Sequence, residues 1–153
     1  MPIIRIQQED FDLSAETAAL RARSSQIGAI AAFVGVVRDV NEGMGVGTMT
    51  LEHYPGMTER ALEQIVASAA ARWSVIDATV IHRIGTLQPS DQIVLVAVAS
   101  QHRGDAFQAC EFIMDYLKTE APFWKKESTS DGMRWVESRA SDAKAVSRWT
   151  QKP

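Results

Sequence analysis

The chain has 153 residues, 46% hydrophobic and 23% charged, with a formal net charge of −3 and one cysteine. One cysteine rules out an intrachain disulfide framework and a cysteine-only metal cluster, and 16 basic against 19 acidic residues give no overall pull toward nucleic acid. The length suits one domain over residues 1–153, the apolar run 93–99 is far short of the roughly 20 residues of a membrane helix, and the start lacks a signal-peptide pattern, so a cytoplasmic address is expected.

A short strand is expected at 3–6, then a short helix capped by Ser14 that carries Ala15, Ala18, Ala19 and Leu20. Residues 28–37 (GAIAAFVGVV) are continuously apolar and read as a strand buried on both faces, with Arg38 at its end. The glycine-rich segment 39–47 reads as a mobile surface loop, and 48–54 as the next strand. Met57, Ala61, Leu62, Ile65, Val66, Ala69 and Trp73 recur at helical spacing after the Pro55-Gly56 turn. Strands follow at 75–84 and 92–100, with a turn at 87–91 between them. A second long helix is expected over 104–119, with Phe107, Cys110, Met114 and Leu117 as its inward stripe, stopped by Pro122. Residues 123–127 and 133–137 read as a hairpin, and Ser141 or Asp142 as the cap of a last helix reaching Trp149. Hairpin-like strands set between long helices point to an α+β fold.

His53, His82 and His102 form no local ligand pair, so no metal site is expected, and Cys110, among apolar neighbours on a helix, reads as packing. The basic residues at element ends carry more. Arg38 ends one strand, His102 and Arg103 end another, Lys118 lies in a last helical turn, and Lys125 and Lys126 follow Pro122. Side chains on such rigid supports can converge on one anion, guanidinium groups gripping its oxygens in pairs. Pro122 turns the chain so that Lys118 and Lys125 can face each other, whereas strand alternation sends Lys126 to the other side. An amine crowded by cations and partly desolvated releases its proton more readily and becomes a base or nucleophile. A non-catalytic anion-binding module would use the same cations, but the acidic net charge disfavours a nucleic-acid partner.

Five blocks in order, Gly35-Val-Val-Arg38, Glu52-His-Tyr-Pro-Gly-Met57, His82-Arg-Ile-Gly85, Ser100-Gln-His-Arg103 with Ala106-Phe107, and Lys118-Thr-Glu-Ala-Pro-Phe-Trp-Lys-Lys-Glu127, resemble the large, catalytic subunit of molybdopterin synthase. The resemblance implies an α/β-hammerhead-type core with an added antiparallel sheet subdomain. It also implies a sulfurtransferase of molybdenum cofactor biosynthesis that converts cyclic pyranopterin monophosphate into the dithiolene of molybdopterin. The sulfur would come from the thiocarboxylated Gly-Gly tail of a small ubiquitin-like partner, with no cofactor of the enzyme's own. Two large subunits would form the homodimer core of a heterotetramer. Carried over position by position, Lys118 and Lys125 match the catalytic lysines, and Arg38, His102 and Arg103 match the residues for the substrate's anionic end. Arg139 matches an arginine that reaches the neighbouring protomer, and Phe33 and Met114 match pocket-lining positions, although by periodicity both also read as core.

Overall fold

The computed structural model describes residues 2–38, 40–41, 44–45, 48–129, 132–136 and 140–150, with side chains left undescribed at 40–41, 44–45, 126–129, 132–136 and 140–143. Its elements run β1 (Ile3–Gln7), α1 (Leu13–Arg21), β2 (Ala29–Val36), β3 (Val40–Asn41), β4 (Met44–Gly45), β5 (Thr48–His53) and α2 (Met57–Arg72). They continue with β6 (Val75–Arg83), β7 (Gly85–Leu87), β8 (Gln92–Ser100), α3 (Arg103–Glu120), β9 (Phe123–Thr129), β10 (Gly132–Val136) and α4 (Ala140–Thr150). The mixed α+β expectation holds.

One four-stranded sheet has the order β1-β6-β8-β2, parallel at β1–β6 and antiparallel elsewhere. Helices cover both of its faces. On one side, α2 and α3 send Leu62, Ile65, Val66, Ala69, Ala109, Ile113 and Leu117 against Ala78, Val80, Val94, Val96 and Val98. On the other side, Leu20 of α1 and Phe11 cover Ile81, Leu95, Ala97 and Ala99. The central strand β8 is therefore buried from Val94 to Ser100, as its unbroken apolar run requires. Each large side chain of these layers contributes about 1.5–3 kcal/mol of burial free energy.

A second four-stranded sheet, β10-β9-β5-β7, is antiparallel throughout, and it buries Met49, Leu51 and Leu87 against Val37 and Ile93. Hydrogen bonds from Val37 N to Asp91 O (2.9 Å) and from Ser90 N to Val37 O (2.8 Å) bind the two sheets' connections together. Arg83 donates to the Gln8 carbonyl from Nε (3.0 Å) and Nη2 (2.9 Å), and to the Gln92 carbonyl from Nη1 (3.0 Å). It thus ties the chain after β1 to the first residue of β8. On α4, Trp149 Nε1 donates to Asp115 at 2.6 Å, and Arg148 bonds the same carboxylate at 2.7 Å, which pins that helix on α3.

Several expectations need correction. The α1 cap is Asp12, not Ser14: its extended backbone lets its carboxylate accept from Ala15 N at 3.0 Å, while Ser14 lies inside the first turn. Strand β2 is not buried on both faces, with Ala32, Phe33 and Val36 exposed, and among the described residues only β8 pairs with it. Phe107, expected on the inward stripe of α3, is 65% exposed. Segment 39–47, expected as a loop, holds the antiparallel pair β3–β4. A short strand not expected from the sequence, β7, precedes the turn and takes in its expected first residue, Leu87. Helix α4 begins at Ala140, so Ser141 and Asp142, expected as its cap, lie inside its first turn.

Candidate active site

The structure gathers several of the basic residues at one end of the first sheet. Helix α3 starts beyond the end of β8, packs back across β8 and β2, and brings Lys118 in its last turn to the end where β8 begins. Ala121 leaves the helix in an extended conformation, and the chain turns at Pro122 into β9. Thr58, fully buried in the first turn of α2, fixes that corner by donating from Oγ1 to the Pro122 carbonyl at 3.1 Å and accepting from Tyr54 N at 3.2 Å. Gly56 sits just before, at φ +85°, a region glycine adopts without strain, and its N–H donates to Glu59 at 2.9 Å. Thr58→Val keeps the shape but leaves both backbone groups unpaired, so it is expected to cost about 1–3 kcal/mol, read as a lower denaturation midpoint with an unchanged slope.

Beyond the corner, β9 alternates as expected. Phe123 stacks on the His82 ring at 3.8 Å between centroids and 18° between planes, whereas Trp124 meets Tyr54 at 4.5 Å. Lys125 is two residues past Phe123 and in register with the buried Leu51, which puts it on the face that carries Phe123. His53, in register with Phe123, lies 6.4 Å from it, ring to ring.

His82 is the buried polar group beneath this arrangement. It stands in register with Ile6 of β1 and Val94 of β8, on the face that α2 and α3 cover. Its Nδ1 is 2.8 Å from the Arg83 carbonyl, which can only accept, so Nδ1 carries the proton and Nε2 is left as an acceptor. Burial, above all, pushes its pKa down to about 3; the Arg83 carbonyl opposes this, and the charges of Lys118, Lys125 and His53 reinforce it. Both lysines thus act on one ring. The unfolded imidazole takes up a proton near its ordinary pKa of 6.5 and the folded one only near 3, so stability is full above pH 6.5 and is lost as pH falls toward 3. At pH 4 this amounts to about 3 kcal/mol. Denaturant unfolding at pH 7 and pH 4 should show a loss of that size in wild type beyond any in His82→Phe.

Arg38 leaves the same end. Gly35, Val94 and His82 lie in one row across β2, β8 and β6, and the exposed Arg38 follows Gly35 by three residues. A Cβ on Gly35 would come within 2.7 Å of Val94 Cγ1 and 3.5 Å of the Phe33 ring, so the floor here is built around a bare backbone. Phe33 is 42% exposed on the face of β2 that α3 covers, while Met114 is 8% exposed and part of the core. Cys110 donates to the Val96 carbonyl at 3.5 Å, and burial, with the charge of Glu111, pushes its thiol up to about 11, as suits a packing residue.

His102 and Arg103 do not join this group within one chain. They open α3 just past Ser100, which pairs with Ala29 at the start of β2, whereas Arg38 follows its end. The length of β2 sets them roughly 25 Å apart along the sheet. Arg139 lies outside the described residues. Among the described residues, no cluster of three or more His, Cys, Asp or Glu could hold a metal ion, and no helix is long and apolar enough to cross a membrane. Sequence reasoning missed His82 and Thr58. The signal for His82 was its place on the apolar face of β6, two residues after Val80 and four after Ala78.

Lys118 and Lys125 come from separate elements and their charges both bear on the buried His82, while Arg38 follows the end of β2 at the same end of the sheet. Comparisons with known proteins agree on a single family. Residues 6–120 match the family model described as MoaE protein. The molybdopterin synthase catalytic subunit of Ralstonia nicotianae is 67% identical over 149 residues, covering 97% of this chain and 85% of that one. Among solved structures, the molybdopterin biosynthesis MoaE protein of Burkholderia ambifaria is 61% identical with a TM-score of 0.86, covering 99% of this chain and 100% of that one. The molybdopterin synthase of Staphylococcus aureus is 35% identical with a TM-score of 0.79, covering 86% and 95%.

Proposed function

We propose, because the chain belongs to the MoaE family of molybdopterin synthase catalytic subunits, that its lysine-lined end is where sulfur reaches cyclic pyranopterin monophosphate. The family's work is sulfur transfer in molybdenum cofactor biosynthesis. What supports the placement is that the charges of Lys118, from the last turn of α3, and Lys125, from β9, both bear on the buried His82. A small ubiquitin-like partner presents its thiocarboxylated Gly-Gly tail there. One lysine assists attack of the thiocarboxylate sulfur on the pterin side chain, and the other assists departure of oxygen and hydrolysis of the acyl link to the partner. Sulfur arrives on the partner, so the reading requires no resident cofactor or metal, and it places the reaction in the cytoplasm.

The anionic end of the substrate needs more positive charge than one copy collects. The outer edge of β2 has no strand beside it among the described residues, and Phe33, Val36 and Phe107 are exposed at 42%, 49% and 65%. Such an apolar edge invites a second strand. Antiparallel pairing of two β2 edges about a two-fold axis sets the His102 and Arg103 end of one copy beside the Arg38 end of the other. Each pocket then holds Arg38, Lys118 and Lys125 of one protomer with His102 and Arg103 of its neighbour. Arg139 is assigned to the same boundary by family resemblance, and Phe33 and Met114 to the pocket wall. With a small subunit at each end, the assembly is a heterotetramer built on a homodimer.

Reconstitution tests the reading. The protein, thiocarboxylated small subunit and cyclic pyranopterin monophosphate, mixed without oxygen, should yield the dithiolene product. Tail binding without product from any of several small subunits would refute a catalytic role.

A further inference from the structure

His82 is absent from every role assigned above, yet it lies at the centre of the pocket's supports. From β1 and β8 its register neighbours are Ile6 and Val94, both apolar. From β9, Phe123 stacks flat on its ring, from β5 His53 stands beside Phe123 at 6.4 Å between ring centres, and Lys118 of α3 and Lys125 of β9 complete the charged surroundings. All three charges that act on the ring oppose a positive imidazole. The carbonyl of Arg83 fixes the tautomer, leaving Nε2 with its lone pair.

We infer that His82 is a positioning residue for the lysine pair: its ring seats Phe123, and with it Lys125 two residues along the same strand face, while Nε2 offers the ammonium groups an uncharged acceptor. The inference rests on the proposed role of the lysines and deepens it. The choice of group matters physically. A carboxylate in this place would hold a neighbouring lysine in its charged form, whereas a neutral acceptor orients the ammonium and still lets it release its proton. The depressed pKa of His82 keeps that acceptor uncharged throughout the neutral range.

Two substitutions separate this role from packing. His82→Phe preserves an aromatic ring against Phe123 but removes both nitrogens. His82→Gln supplies an amide donor for the Arg83 carbonyl and an oxygen acceptor in place of Nε2. In the reconstituted synthase, His82→Phe is expected to lower kcat by about 10–100-fold with KM for the pyranopterin changed less than about threefold, and to displace the pH–rate profile. His82→Gln is expected to stay within about fivefold of wild-type kcat. Wild-type kcat and pH profile in a folded His82→Phe protein would overturn the inference. A His82→Gln protein as impaired as His82→Phe would also overturn it.

If His82→Phe does not fold, ¹⁵N NMR of the wild-type imidazole decides. An unprotonated Nε2 whose resonance moves in Lys118→Ala or Lys125→Ala supports the inference, and a protonated Nε2, or one indifferent to both substitutions, ends it. Failure of the underlying reading is distinguishable. Fully active Lys118→Ala and Lys125→Ala proteins refute the lysine assignment itself, whereas inactive lysine variants beside a fully active His82→Phe protein refute only the role of His82.

Discussion

Lys118→Ala and Lys125→Ala should each lower dithiolene formation by about 10²–10⁴-fold, the usual worth of one positioned proton-transfer group, with little loss of stability. Lys118 is exposed in the last turn of α3, where its charge is worth about 0.3–1 kcal/mol against the helix dipole. Lys125 lies within β9, whose backbone pairing to β5 at Leu51 and to β10 at Val136 does not depend on its side chain. Because the two lysines act on one reacting centre, the double variant should be little worse than either single one. Lys126→Ala, one position along the same strand, is the control and should be much milder. The measurement is single-turnover product formation with thiocarboxylated partner, alongside thermal unfolding of each variant. Retention of most activity by either lysine variant would remove that residue from the chemistry, and an equal loss in Lys126→Ala would defeat the alternation on which Lys125 was chosen.

Most elements were legible because their patterns have one physical solution. The apolar, β-branched run over 92–100 reads as a strand and is one, and the spacing after Pro55-Gly56 reads as a helix and is one, although Met57 is 64% exposed and Trp73 lies just past its end. β2 carries an equally apolar run and reads as buried on both faces, yet Ala32, Phe33 and Val36 are exposed. Periodicity reports that a surface avoids water, not whether its cover comes from the same chain. The exposed Phe107 fails for the same reason, its helical spacing marking it as apolar but not as covered by its own chain. Asp12 was passed over because Ser14 also fits a cap, and only backbone geometry separates them. At the site, Pro122 made the turn from helix to strand legible, and with it the placing of Lys118 at the end of α3 and Lys125 just beyond in β9. The separation of Arg38 from His102 and Arg103 was not. Strand ends are visible in a sequence, but strand order and direction are not, and antiparallel pairing of β2 with β8 sends the two groups to opposite ends.

That separation sets up the second large effect. Arg38→Ala alone, and His102→Ala with Arg103→Ala in one chain, should each lower activity by about 10²–10³-fold, as loss of a preorganised contact to developing negative charge does. Refolding the two inactive proteins together in equal amounts makes half of the dimers mixed. If each pocket takes Arg38 from one protomer and His102 and Arg103 from the other, every mixed dimer carries one pocket with both defects and one with neither. The mixture should then regain about a quarter of wild-type activity. If a pocket drew all three residues from one chain, every pocket in the mixture would keep a defect and activity would stay at the level of the parents. Arg38→Ala mixed with Lys118→Ala supplies the internal control. Both residues belong to the same end of the same chain, so each pocket of that mixed dimer keeps one defect, and no recovery is expected. Recovery in the first mixture but not the second would require the phosphate end of the substrate to be held across the two-fold axis. Recovery in both would mean that the pocket boundary has been drawn in the wrong place.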